Sequence, residues 1–230
     1  MAELFDRYGP RYGEVVARSI SFSGLGHDFF LVAKARLLAR EVDVRGLRAT
    51  GKPLGALDIG CGVGALHSHL THVFDSLHGC DLSEASIDRA RKDHPHNAYD
   101  LCMPARLPYA DGSFDFAFAS CVLHHVQPET WASFIDEMRR VVRPGGIACL
   151  IEHNPYNPLT RLAVLRCPFD EDAVLLNARK AKALFRDAGL SEITTQHFLL
   201  FPSDRPLASR LETALAAFPL GAQYACSGRV

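Results

Sequence analysis

Two groups of residues in this chain have the types and spacing to do chemistry. The first is the run Asp58-Ile59-Gly60-Cys61-Gly62-Val63-Gly64, three glycines at alternate positions with an acid two residues ahead of the first. Glycine leaves bare backbone, so a ligand can lie directly against the chain where a Cβ would otherwise stand. A second acid, Asp81, closes the next apolar run after Gly79-Cys80. A carboxylate at such a strand end accepts hydrogen bonds from the two hydroxyls of a ribose. Loop and acid together describe a nucleoside pocket. The second group is Ser120, Cys121, His124 and His125, followed by Glu152, His153, Asn154, Tyr156 and Asn157. Hydroxyl, thiol, imidazole and carboxylate in this density can orient a second substrate and accept a proton from it. Residues 151 to 158 are unusually polar for the end of a buried strand, which marks them for substrate recognition.

These residues must be held by elements, and the chain alternates them. Short apolar runs predict strands over Leu54 to Ile59, Ser76 to Cys80, Ala98 to Cys102, Phe114 to Ser120 and Ile147 to Glu152. Helical spacing fills most of the gaps, one helix opening at the glycine loop and the clearest spanning Glu129 to Val142 before Pro144-Gly145-Gly146. Strand and helix in alternation mean crossover connections and a mostly parallel sheet covered on both faces. Two helices, Tyr12 to Ile20 and Asp28 to Val44, precede the sheet. A helix over Asn177 to Ala188, a strand over Glu192 to Phe201, a helix over Pro206 to Ala217 and a strand over Gly221 to Gly228 complete the pattern. No linker or repeat divides the chain, so one domain is expected: a helical lid over 1–50, a cofactor-binding core over 51–152, and substrate-side helices with closing strands over 153–230.

Two cofactor classes compete for the glycine loop. Gly60, Gly62 and Ala65 also satisfy a dinucleotide fingerprint. Asp58 tips the balance, because a negative charge sits poorly beside a pyrophosphate and suits the ammonium of a bound amino acid. S-Adenosylmethionine joins adenosine to an amino acid and carries no phosphate.

At this point the sequence resembles the class I S-adenosylmethionine-dependent methyltransferases, in the small-molecule, type 11-like branch. The likeness runs through residues 57–64, Asp81-Leu82-Ser83, Leu107 to Asp115, Val122-Leu123-His124-His125-Val126 and Val142-Arg143-Pro144-Gly145-Gly146. It implies an α/β, doubly wound, Rossmann-like sheet of seven strands with the last antiparallel, under an N-terminal helical lid. It implies further that Gly60, Gly62 and Gly64 cradle S-adenosylmethionine, with Asp58 and Cys61 in the same loop, that Asp81 holds the ribose and that Leu82 packs on the adenine. Where the family often has an acid for the adenine amino group, this chain has Met103, so that contact falls to the backbone of Met103-Pro104 or to Asp100. Ser120 and Cys121 border the cofactor. His124, His125, Glu152, His153, Asn154 and Tyr156 are the candidates for acceptor binding and catalysis. Phe22, His27 and Phe29, with Tyr8 and Tyr12, are candidate lid contacts, and Gln223 or Tyr224 candidate rim residues.

Bulk properties narrow the partners. The 230 residues carry a formal net charge of −1, 48% are hydrophobic, and no apolar run has the length of a membrane helix. A small-molecule acceptor is expected, without nucleic acid or membrane, in the cytoplasm; the oligomeric state is not read from the sequence. The seven cysteines include no CxxC pair, and most read as small buried apolar groups. No metal site is expected: His67, His69 and His72 spread around a helix and read as a solvated face. Asp170-Glu171-Asp172 reads as the start of a helix, where acids suit the dipole. Two other functions fit the same fold: transfer or ring closure of the cofactor's aminobutyl chain, releasing methylthioadenosine, and cofactor binding without turnover.

Overall fold

The computed structural model describes residues 12–103, 106–201, 215 and 218–230. Seven strands form one sheet: β1 (Gly55–Ile59), β2 (Ser76–Asp81), β3 (Ala98–Leu101), β4 (Phe114–Ser120), β5 (Val142–His153), β6 (Ser191–Phe198) and β7 (Gln223–Arg229). Their order is β3-β2-β1-β4-β5-β7-β6. The pairs among β1 to β5 are parallel, and β7 runs antiparallel to both β5 and β6. The helices are α1 (Tyr12–Ser19), α2 (His27–Val44), α3 (Glu84–Asp93), α4 (Trp131–Val141), α5 (Pro158–Arg166) and α6 (Ala178–Asp187).

Period-two alternation sorts the strand side chains onto two faces, and each face has its own core. Leu57, Ile59, Ala117, Ala119, Ala148 and Leu150 point to one side, where Ile135 and Met138 of α4 and Leu184 and Phe185 of α6 cover them. Ala56, Phe116, Phe118, Ile147, Cys149 and Ile151 point to the other, under Leu37, Leu38 and Val42 of α2 and Leu66, Leu70 and Phe74. Both faces of β4 are therefore buried, which explains its near-continuous apolar run. Strand order reverses between β1 and β4, and in open parallel sheets the crevice beyond the carboxyl ends at that point is where ligands bind.

Three expectations change. The chain from Cys61 to Asp75 forms tight turns and a single 3-10 turn at His67–His69, with no α-helix after β1. The helix expected at Asp170 is also missing: Pro168–Asp170 is a lone 3-10 turn and α6 starts only at Ala178, capped by the Asn177 side chain on the Lys180 amide. Finally, Pro144-Gly145-Gly146 does not separate helix from strand. Strand β5 starts at Val142 directly from α4, with an irregular register between Phe114 and Phe116 on β4. Gly146 passes so close that a Cβ there would lie 2.6 Å from the Asp115 carbonyl. The helix expected over Pro206 to Ala217 falls, apart from Leu215, outside the described residues, as do Tyr8 and Pro104.

Candidate functional site

A cavity of about 1470 Å³ opens at the carboxyl ends of the strands, its walls supplied by the loops after β1, β2, β4 and β5, by α1, α2 and α5, and by the end of β6. At its inner end β1 delivers Asp58, which is 3% exposed. One carboxylate oxygen, Oδ2, lies 3.0 Å from His67 Nε2, and His67 Nδ1 lies 2.6 Å from the Tyr99 hydroxyl. The other oxygen, Oδ1, is buried with no hydrogen-bond partner. His67 is itself fully buried, so the solvated-face reading is wrong for it: without a helix after β1, its side chain turns inward beneath the loop. His69 pairs with Asp28 at 3.0 Å, and His72 is exposed.

The glycines divide their work. A Cβ on Gly60 would meet Val122 Cγ2 at 2.6 Å, and one on Gly64 would meet His94 and Tyr99, so both serve packing. Gly62 alone faces open space, at φ +53°, and it lines the cavity with Gly60 and Cys61, whereas Gly64 does not. Asp81 accepts hydrogen bonds from the amides of Gly62 at 2.8 Å and Ser83 at 2.9 Å. Burial raises its carboxyl pKa, with those amides pulling the other way. Leu82, Met103, Arg106 and Ser120 complete this wall. Asp100 is turned aside and accepts the Tyr109 hydroxyl at 3.1 Å.

The site can be tested for fit to S-adenosylmethionine on its own atoms. A buried carboxylate oxygen without a protein donor is costly unless a ligand supplies one. Asp58 Oδ1 has that need in the loop that carries the one glycine leaving room, and the amino group of the cofactor would supply the donor. Asp81 keeps unused lone pairs for ribose hydroxyls. The residues fit.

Toward the other end, β5 delivers Glu152, fully buried behind the cavity wall. Its Oε1 accepts the amides of Val122 at 3.1 Å and Leu123 at 2.7 Å, and Oε2 lies 2.6 Å from His124 Nδ1. His124 Nε2 and His125 Nε2 both reach Asp170 Oδ1, at 3.5 and 3.4 Å. Burial works against charge on His124, yet Glu152 and Asp170 outweigh it and hold the imidazolium up to about 10. Burial likewise opposes charge on Glu152, and His124 holds the carboxyl down to about 2. Burial and the neighbouring His124 cation push His125 down to about 4. One histidine is thus held charged and the next neutral, which separates their chemical roles.

Cys121 follows β4 at φ +59°, a left-handed conformation rare for a residue with a side chain. Lys34 Nζ and Gln223 Nε2 each lie 3.3 Å from its sulfur. Burial alone would raise this thiol, but Lys34 and His153 bring it down to about 6. It is no inert apolar cysteine, unlike buried Cys80, Cys149 and Cys226.

The structure therefore brings together Cys121, His124, His125 and His153 at the cavity and places Glu152 behind them. It does not bring in Asn154 or Tyr156. Asn154 is buried under the 218–221 loop that leads into β7, donating to the carbonyls of Pro219 and Gly221 at 3.0 and 2.8 Å. Tyr156 is 65% exposed. Among the rim candidates Gln223 lines the cavity, whereas Tyr224 is fully buried and donates to the Leu176 carbonyl at 3.0 Å. Phe22, His27 and Phe29 line the cavity, and the side chain of Tyr12 falls outside the description. Lys34, His67 and Asp170 are the residues that sequence reasoning missed.

Comparison with known proteins agrees with this geometry. Residues 57–150 match a family described as a methyltransferase domain. An uncharacterised methyltransferase of Synechocystis is 33% identical over 44% of this chain and 48% of its own length. The demethylmenaquinone methyltransferase of Beutenbergia cavernae is 33% identical over 50% of each chain. The chain spans about half the length of the curated relatives it matches. Among solved structures, a Thermotoga maritima protein described as a possible histamine N-methyltransferase superposes with a TM-score of 0.66 at 20% identity, covering 100% of this chain and 99% of its own. A Haloferax volcanii structure, of the Trm112 activator with a putative methyltransferase, gives 0.67 at 18% identity over 98% and 96%. Residues 57–150 thus match a methyltransferase domain, within a seven-stranded sheet closing on an antiparallel strand that has the fold of class I S-adenosylmethionine-dependent methyltransferases.

Proposed function

We propose that this protein transfers a methyl group from S-adenosylmethionine to a small-molecule acceptor that loses a proton in the reaction. The observation that carries the reading is Asp58 Oδ1, buried and unpartnered on the cavity wall beside Gly62. When bound, the cofactor supplies an electrophilic methyl on a sulfonium, so the protein has chiefly to align the acceptor, exclude water and receive a proton.

On this reading Asp58 and Gly62 hold the amino-acid end, Asp81 the ribose, and Leu82 with Met103 and Arg106 the base. Glu152 and Asp170 fix the His124 ring from both nitrogens, and His124 in turn holds its neighbour uncharged. His125, neutral at physiological pH, takes the acceptor proton. His153 and Asp170 orient the acceptor beside it. Support for a small acceptor comes from relatives named for demethylmenaquinone, 27-O-demethylrifamycin SV and norajmaline. The net charge of −1 gives a polyanion no general attraction. Free cysteines and the lack, among the described residues, of a helix able to cross a membrane suit work in the cytoplasm.

The test is incubation of the protein with labelled S-adenosylmethionine and a panel of nucleophiles, followed by mass spectrometry of the nucleoside. S-Adenosylhomocysteine together with a methylated acceptor is the expected result. Methylthioadenosine would point to aminobutyl chemistry. In the same assay His125→Gln should lower kcat by about 100-fold or more while leaving S-adenosylhomocysteine affinity within twofold.

A further inference from the structure

The cavity is larger than its proposed cofactor requires. At about 1470 Å³ it exceeds the roughly 300–1,000 Å³ usual for a pocket that takes one drug-sized ligand. Where α1 meets α5 its lining is mainly apolar. Ile20 and Phe22 just after α1, Ala163 and Val164 of α5, Phe169, and Phe201 in the segment after β6 line it.

Helix α5 continues this lining outward. Its inner face, at Ala163 and Val164, looks into the cavity, while Leu159 both lines the cavity and stands 59% exposed. Beyond it Leu162 and Leu165 are 40% and 82% exposed, and Phe218 and Leu220 are more than half exposed. The 218–221 loop is tied to the same place, because the Asn157 side chain that caps α5 also donates to the Leu220 carbonyl at 2.8 Å. Leu162 and Leu165, set between Arg161 and Arg166 on the solvent side of α5, leave apolar surface that no neighbour among the described residues covers. A cation stands at this mouth: the Arg166 guanidinium lies 5.8 Å from the centre of the Phe22 ring.

We infer that the acceptor is a single-chain amphiphile, its polar reacting head at His125, His153 and Asp170 and its alkyl or isoprenoid chain lying along α5 past Ala163 and Val164 to the exposed leucines. The inference rests on the proposed reading that the loop end of the cavity holds the cofactor. A single-chain amphiphile suits a channel that is charged at its inner end, lined mainly by apolar side chains along α5, and bordered outside by exposed leucines with Arg166 at the mouth. Helices α1 and α5 meet at the channel where Ser19 Oγ, which donates to the Val15 carbonyl at 2.9 Å, lies 3.3 Å from the Arg166 carbonyl.

The experiment measures chain binding and cofactor binding separately in the full-length protein. With S-adenosylhomocysteine saturating, cis-parinaric acid should bind with a rise in fluorescence. Fatty acids should displace it with affinities that increase severalfold per two methylenes from octanoate to dodecanoate. Ala163→Trp and Val164→Phe should each weaken parinarate at least tenfold while S-adenosylhomocysteine affinity, read by calorimetry, stays within twofold; that affinity also certifies the fold. The inference is overturned if parinarate fails to bind a protein that binds S-adenosylhomocysteine, or if both variants bind it as the wild type does. It is overturned too if parinarate binding follows protein concentration, as it would if two copies paired over Leu162 and Leu165. Parinarate binding without S-adenosylhomocysteine binding would keep the channel and remove the cofactor reading instead.

Discussion

Asp58 and Glu152 are two buried carboxylates with opposite situations. Glu152 has every oxygen engaged, whereas Asp58 keeps one oxygen idle. Asp58→Asn should preserve the contact with His67 yet remove the charge facing the cavity. Calorimetric titration should show S-adenosylhomocysteine weakened by about 1.5–3 kcal/mol in a protein that melts near the wild type. Glu152→Gln should instead strike stability, at about 3–5 kcal/mol, because it strands a buried imidazolium. The pH dependence has a definite sign. Glu152 is lowered to about 2 from 4.5, so its contribution is present above 4.5 and fades as pH falls toward 2. His124 is raised to about 10 from 6.5, so its contribution is complete below 6.5 and fades as pH rises toward 10. Urea unfolding of wild type and variant should differ most between pH 4.5 and 6.5 and converge by pH 10. At Cys121 the alkylation rate with iodoacetamide should rise through a pKa of about 6, and Lys34→Met should move that rise upward.

Among the elements, α5 depends on its first turn. Asn157 Oδ1 accepts the amides of Leu159 at 3.0 Å and Thr160 at 3.1 Å, and its amide nitrogen holds the 218–221 loop. Asn157→Ala should lower stability by about 0.5–2 kcal/mol in thermal melts, the usual cost of a lost cap. Strands were easy to read because β4 and β5 are buried on both faces and their composition says so directly. The glycine loop and Asp81 were legible for a related reason, since both stand at strand ends whose position the apolar runs define. Lys34 was not, because it meets the Cys121 sulfur across 87 residues of chain, and on its own helix it is one more polar residue. Asp170 misled because three acids in a row satisfy a helix start locally, while its real partners are two histidines brought to it by β4. His67 was misplaced for want of the helix that its spacing assumed.

For the molecule as a whole, a ligand that binds only the native state raises the melting temperature. At one hundred times its dissociation constant, S-adenosylhomocysteine should add about 2.7 kcal/mol. In a chain of this size that is roughly 5–10 °C by scanning fluorimetry. Nicotinamide dinucleotides should leave the melt unmoved. Helix α2 participates in this stability through its far end. Glu41 of α2, 7% exposed, accepts the Ser227 hydroxyl of β7 at 2.6 Å and the Gln196 amide of β6 at 3.1 Å. The helix that borders the cavity is thereby fastened to the closing strands.

The turns that replace a helix after β1 carry one more consequence. A helix starting there would aim its positive dipole end at the ligand, as phosphate-binding loops do. Here that end is missing, and the nearest full charges are the carboxylates of Asp58 and Asp81. The polarity of the loop is inverted, and it discriminates between the two ends of an amino acid. Of two truncated cofactor analogues, one stripped of its ammonium and one of its carboxylate, the first should lose the greater share of its affinity.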